Sequence, residues 1–143
     1  MRLLFVDDEP ERIEVIRTTL QDVLDAEVVL ATSVADGVAA LTAAPVDLVV
    51  FDVFMPLGES PRDVLGPRAR RYADRIDHLG GLVFLSELQR LPVPPKALLY
   101  SACTDHALLE LMGETVSARV PKPAPADVLL RFVLEALGLP APR

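Results

Sequence analysis

Ten residues, Asp47-Leu-Val-Val-Phe-Asp52-Val-Phe-Met-Pro56, constrain this chain more than any other stretch. The apolar run from Leu48 to Phe51 is short, partly β-branched, and bounded by Asp47 and Pro56. That is the pattern of a strand buried on both faces of a parallel sheet. The run delivers Asp52 to its C-terminal end, where open α/β sheets hold their ligands. A second such strand, Leu3-Leu4-Phe5-Val6, ends in Asp7 and Asp8. Three carboxylates at the ends of two buried strands point to a site.

Around these two strands the pattern alternates between strand and helix. Strand 1 is expected over residues 2 to 6. Pro10 then opens a helix at its favoured first-turn position, with Ile13, Ile16, Leu20 and Val23/Leu24 as the inward stripe. Glu27 to Leu30 reads as a strand, and Ser33 as the N-cap of a helix through about Leu41, with Val34, Val38 and Leu41 inward. Pro45 ends that helix before strand 3. Gly80-Gly81 starts a helix lined by Leu82, Leu85 and Leu88 and stopped by Pro92. Lys96 to Ser101 is strand 4. Asp105 to Met112 is a short helix closed by Gly113. Ser117 to Val120 is strand 5, and Asp127 caps a last helix to Leu137, before Gly138 and Pro140. Phe5, Phe51 and Phe84 are expected in the core. Five strands, each followed by a helix, predict an α/β fold with right-handed crossovers and a doubly wound parallel sheet. At 143 residues the chain reads as a single domain, residues 1–143.

One segment breaks the rhythm. The 24 residues between Pro56 and Gly81 exceed usual βα connections and carry Arg62, Arg68, Arg70, Arg71 and Arg75. Pro67 and the Tyr72/Ile76 spacing suggest a short helix inside an inserted loop at about residues 57–79. Two readings stand: a solvated excursion whose arginines pair with Asp63, Asp74 and Asp77, or a lid or docking element that carries a signal to a partner.

The remaining composition excludes several classes. A formal charge of −7 argues against direct nucleic-acid binding, which rests on neutralising phosphates with Lys and Arg. No apolar run approaches the ~18 residues of a membrane span, so no membrane insertion is expected. An N-terminus that enters strand 1 directly, with an acid by position 7, lacks a secretory pattern. A lone cysteine, Cys103, forms no internal disulfide and reads as a small filler rather than a reactive thiol; a cytoplasmic location is expected. His78 and His106 lack the spacing of a zinc site.

Five pieces together carry a family resemblance: Phe5-Val-Asp-Asp-Glu-Pro10, Phe51-Asp-Val-Phe-Met-Pro56, Gly81-Leu-Val-Phe-Leu85, Tyr100-Ser-Ala102 and Val120-Pro-Lys-Pro123. Each is weak alone, but all stand in order at strand ends or helix starts. The chain resembles the receiver domain of two-component response regulators over its whole length apart from the insert. The resemblance implies a flavodoxin-like sheet of order 2-1-3-4-5, with strand 5 at the edge. It implies that Asp52 accepts a phosphoryl group from a histidine kinase or phosphotransfer protein, with Lys122 neutralising the phosphoryl oxygens and Ser101 bonding one of them. It further implies a Mg²⁺ ion held by Asp7, Asp8, Asp52 and the backbone carbonyl of Phe54, and a cis Lys122-Pro123 peptide. Converging carboxylates repel one another unless a cation compensates, and Mg²⁺ favours a few carboxylates, retained waters and a phosphate oxygen. Such a protein is not an enzyme beyond slow self-dephosphorylation. Its output passes to a downstream protein through protein contacts, and a homodimer is left open.

Two positions depart from that family. Arg119 stands where the switch aromatic would fall, three residues before the motif lysine, and Ala124 follows Lys-Pro where an aromatic is frequent. Arg119 is expected near the surface, because burying an unpaired guanidinium is too costly. A pseudo-receiver that signals without phosphate is the alternative, favoured by Arg119 and the insert and disfavoured by the full set of acids, Ser101 and Lys122. A haloacid-dehalogenase-type phosphatase would need an acid at Phe54.

Overall fold

The computed structural model of the chain describes residues 1–9, 11, 13–56, 80–113 and 116–140. The inserted segment at 57–79, with its suggested helix, and Pro10 lie outside the described residues. Within them, ten elements alternate: β1 (Arg2–Val6), α1 (Glu14–Leu24), β2 (Glu27–Ala31), α2 (Val34–Ala43), β3 (Leu48–Phe51), α3 (Gly80–Gln89), β4 (Lys96–Ser101), α4 (His106–Gly113), β5 (Ala118–Pro121) and α5 (Ala126–Ala136). The five strands form one parallel sheet in the order β2-β1-β3-β4-β5. The expected fold class and strand order are both found.

The period of two along each strand builds two cores. Leu4, Val6, Val49, Phe51, Ala97 and Leu99 face one layer, packing with Val34 and Val38 of α2 and Val83, Phe84, Leu85 and Leu88 of α3. Their neighbours Leu3, Phe5, Leu48, Val50, Leu98 and Tyr100 face the other, against Ile16 and Leu20 of α1 and Leu129, Leu130 and Val133 of α5. Every residue of β3 is buried, as a central strand covered on both faces requires. At about 1.5–3 kcal/mol for each large apolar side chain removed from water, these two layers are the principal drive to the fold. Phe51 and Phe84 meet edge to face at 5.6 Å between ring centroids, locking α3 against β3.

The local signals mostly acted as expected, with instructive differences. Ser33 caps α2, its hydroxyl accepting the Asp36 amide at 3.2 Å. On α1 the buried stripe is Ile13, Ile16 and Leu20, continued by half-buried Leu24, whereas Val23 is 54% exposed. The stripe advances by four residues from Leu20, which turns Val23 to solvent. On α3, Leu82 is half-buried, and Val83 and Phe84 join Leu85 and Leu88 in the core. The last helix is not capped by Asp127. Extended Pro125 is the N-cap and its carbonyl takes the amides of Val128 and Leu129, leaving Asp127 in the first turn, where a carboxylate suits the helix dipole. β5 runs one residue later than its apolar pattern suggests. Pro121 pairs opposite Ser101, and the ladder bond to the Ser101 carbonyl comes from the Lys122 amide at 3.0 Å, so the missing proline N–H is not needed there.

Candidate functional site

The ends of four strands converge on one edge of the sheet. Asp7 follows β1, Asp52 follows β3, Ser101 ends β4, and Lys122 follows β5. Ladder hydrogen bonds continue past the strands and fix these backbones. Asp7 N donates to Ala31 O at 2.9 Å, Asp52 N to Val6 O at 3.3 Å and Lys122 N to Ser101 O at 3.0 Å. Side-chain position at the site is therefore inherited from strand register.

One device then aims three of the side chains. The Oδ1 of Asp7 accepts the Glu9 amide at 2.9 Å, the Oδ1 of Asp52 accepts the Phe54 amide at 3.1 Å, and the Ser101 Oγ accepts the Cys103 amide at 3.2 Å. Each is a side chain bonded to the backbone two residues on, the local turn that Asp and Ser favour. With one oxygen of each carboxylate committed, the other faces the site. Lys122 meets both: Nζ lies 2.6 Å from Asp7 Oδ2 and 2.8 Å from Asp52 Oδ2. The ammonium also sits 5.0 Å from the centroid of the Tyr100 ring, within cation–π range. Asp7, Asp52 and Ser101 are each 5% exposed, so these bonds form where water screens little.

Asp8 completes the group from the exposed side. One carboxylate oxygen from each of Asp7, Asp8 and Asp52 lies within 4.8 Å of the others. Partial burial first, and then the charges of Asp7, Glu9 and Asp52, push the Asp8 carboxyl above its ordinary value of 3.8. For Lys122, burial alone lowers the ammonium pKa. Hydrogen bonds and charge from Asp52 and Asp7 outweigh it and leave the pKa above the ordinary 10.5. Three carboxylates and one ammonium leave two negative charges uncompensated, a balance that a divalent cation would close. The donor set is all oxygen and partly open, which fits Mg²⁺ rather than a soft metal.

The sequence-expected residues Asp7, Asp8, Asp52 and Lys122 are brought together by their side chains. Ser101 joins through its carbonyl bond to Lys122, and among the described residues its hydroxyl accepts the Cys103 amide without donating. Phe54 is tethered to Asp52 by its amide, and the residue is 43% exposed. The Lys122-Pro123 peptide is cis. Arg119 is exposed on β5, as expected. Cys103 is half-buried against the α2–α3 layer.

Sequence reading missed the part played by Gly81. Its amide donates to Val53 O at 3.0 Å, and a Cβ there would stand 2.3 Å from the Asp52 carbonyl oxygen and 2.5 Å from Val53 Cα. Only glycine lets the start of α3 press against the backbone that carries Asp52. The Gly80-Gly81 pair at a helix start was the available signal.

Comparison with known proteins agrees with this architecture. A response regulator receiver domain protein (CheY-like) from Methanospirillum hungatei superposes with a TM-score of 0.73 at 19% identity, covering 96% of this chain and 93% of that one. The receiver domain of a Francisella response regulator gives 0.70 at 17%, covering 96% of each. The N-terminal domain of an uncharacterized Wolinella succinogenes protein gives 0.72 at 20%, covering 95% and 93%. No family model and no curated protein sequence matches the chain. The molecule has the CheY-like receiver fold.

Proposed function

We propose that the chain is a phospho-accepting response regulator whose acceptor is Asp52. The observation that carries this reading is Lys122, which holds a buried ammonium between Asp7 and Asp52 at the mouth of the sheet. Asp52 Oδ2, given up by Lys122 as the substrate arrives, attacks the phosphorus of a phosphohistidine on a kinase or phosphotransfer protein. The N–P bond breaks, the histidine nitrogen keeps the electron pair, and an aspartyl phosphate remains. Lys122 turns from carboxylate to phosphoryl oxygen and neutralises the arriving charge as a compact point charge. The Ser101 hydroxyl, held by the Cys103 amide, donates to a second phosphoryl oxygen. Asp7, Asp8 and Asp52, with the Phe54 carbonyl, would hold Mg²⁺, whose chemistry is charge neutralisation during transfer. Among the described residues, neither Phe54 nor Cys103 offers an amide or acid side chain to orient a water, which supports slow self-dephosphorylation and the role of a signal carrier. Output passes to a downstream protein.

The test is intact-mass measurement after acetyl phosphate with and without Mg²⁺. The expected result is a gain of about 80 Da, one phosphoryl group on a nucleophilic carboxylate, that needs Mg²⁺ and vanishes in Asp52→Ala. A gain that persists in Asp52→Ala contradicts the assignment. A phosphate-independent interaction module is the second reading, favoured by one observation: β5 presents an exposed Arg119 three residues before Lys122. Absence of any gain would support it.

A further inference from the structure

A cavity of about 260 Å³ opens between the end of β4, β5 and α4. It is lined by Leu99, Leu109 and Pro121, together with Ser101, Cys103 and Arg119; Val120 also borders it, its side chain packed in the opposite layer. Two features distinguish it from a packing defect. Arg119 cannot fill it, because an unpaired guanidinium among leucine and proline would lose its hydration without return. That guanidinium is also unpaired: among the described residues no carboxylate lies within ion-pair distance of it, although the chain carries 21 acids against 14 bases. Among the described residues, the cavity therefore offers apolar walls, one unused cation and no anion.

We propose that this cavity is a binding site for a small monocarboxylate with a short apolar body. The body would lie against Leu99, Leu109 and Pro121, and the carboxylate would pair with Arg119, whose planar fork matches it bidentately. Apolar cavities smaller than this take up a benzene-sized guest, so the volume suits a body of about six carbons. The acidic surface elsewhere repels the same anion, which confines it to Arg119. The site borders the phosphoryl-accepting cluster, since Ser101 lines the cavity and binds Lys122 through its carbonyl.

The experiment titrates the full chain with hexanoate and, separately, with hexanol, following amide resonances by NMR without Mg²⁺ or phosphodonor. Saturable hexanoate shifts at Cys103, Leu109, Arg119 and Val120 are expected, with hexanol roughly tenfold weaker because it lacks the charge-assisted pair. Arg119→Gln should lose that tenfold preference while hexanol binding stays. Leu109→Phe, which fills the cavity, should abolish both. Equal affinity for acid and alcohol, an unchanged preference in Arg119→Gln, shifts outside the cavity, or no saturable binding would each overturn the proposal. The absence of phosphodonor keeps this outcome separate from whether Asp52 accepts phosphate.

Discussion

Two cations stand three residues apart at the end of β5, and they occupy opposite environments. Lys122 is nearly buried, its Nζ shared between Asp7 and Asp52 at 2.6 and 2.8 Å. Arg119 is exposed beside an apolar cavity and pairs with no described carboxylate. The difference comes from what the neighbouring strands deliver. β1 and β3 end in acids whose outer oxygens are fixed by local amide bonds, so a cation can be buried there without being stranded. β4 and the connection after it place Leu99 and Cys103 in the cavity that Arg119 also lines, and these give a guanidinium no carboxylate to pair with. Burial of charge follows the partners, and a strand end supplies or withholds them by one residue.

The largest expected effect breaks the buried half of this comparison. Lys122→Ala leaves Asp7 and Asp52 facing one another uncompensated and should cost about 3–5 kcal/mol at neutral pH, read by urea unfolding of the metal-free protein. Arg119→Ala in the same assay should stay within about 0.5 kcal/mol. Similar losses in the two variants would contradict the account. The pH dependence sharpens it. Because the folded-state pKa of Lys122 is raised, its contribution is fully present below the ordinary 10.5 and is lost only as pH rises through the higher folded value. Wild type and Lys122→Ala should therefore converge in stability as pH rises through that alkaline range.

Asp8 should move stability the other way, and by less. Its folded-state pKa is raised above 3.8, so the folded protein holds that proton more tightly and loses stability as pH climbs through the carboxylate range. Asp8→Asn should then raise the melting temperature of the metal-free protein at pH 7, with little change near pH 3, where the wild-type carboxyl is protonated. In Mg²⁺ the order should reverse, because the variant has lost a ligand. An unchanged Mg²⁺-induced shift in Asp8→Asn would remove it from the metal site.

Much of this was legible in the residues. Short apolar runs ending in acids gave the strands, their burial and the positions of Asp7, Asp8 and Asp52, because a buried strand leaves few other readings. Lys122, one of two lysines beside twelve arginines, stood out for the same reason. What escaped depends on distance between segments. The exposure of Val23 turns on the phase in which α1 docks, and the need for glycine at 81 on how closely α3 approaches the Asp52 backbone. The cavity beside Arg119 exists only once β4, β5 and α4 are set side by side. No local pattern encodes it.

The smallest expected effect concerns Phe54, an exposed residue two positions beyond Asp52 and bonded to it by its amide. By screening the phosphorus from water it should lengthen the phosphorylated state, so Phe54→Asn should hydrolyse several-fold faster in a phosphate-release assay, where an oriented water contributes. An equal or slower rate would refute the screening.

The central claim is that Asp52, aimed by Phe54 and paired with Lys122, is the acceptor. Borohydride reduces an acyl phosphate to an alcohol and leaves ordinary carboxylates untouched. After acetyl phosphate and Mg²⁺, borohydride treatment and peptide sequencing by mass spectrometry should find homoserine at position 52 alone. Homoserine at position 7 or 8, or an unmodified residue 52 in protein that has gained a phosphoryl group, would contradict it.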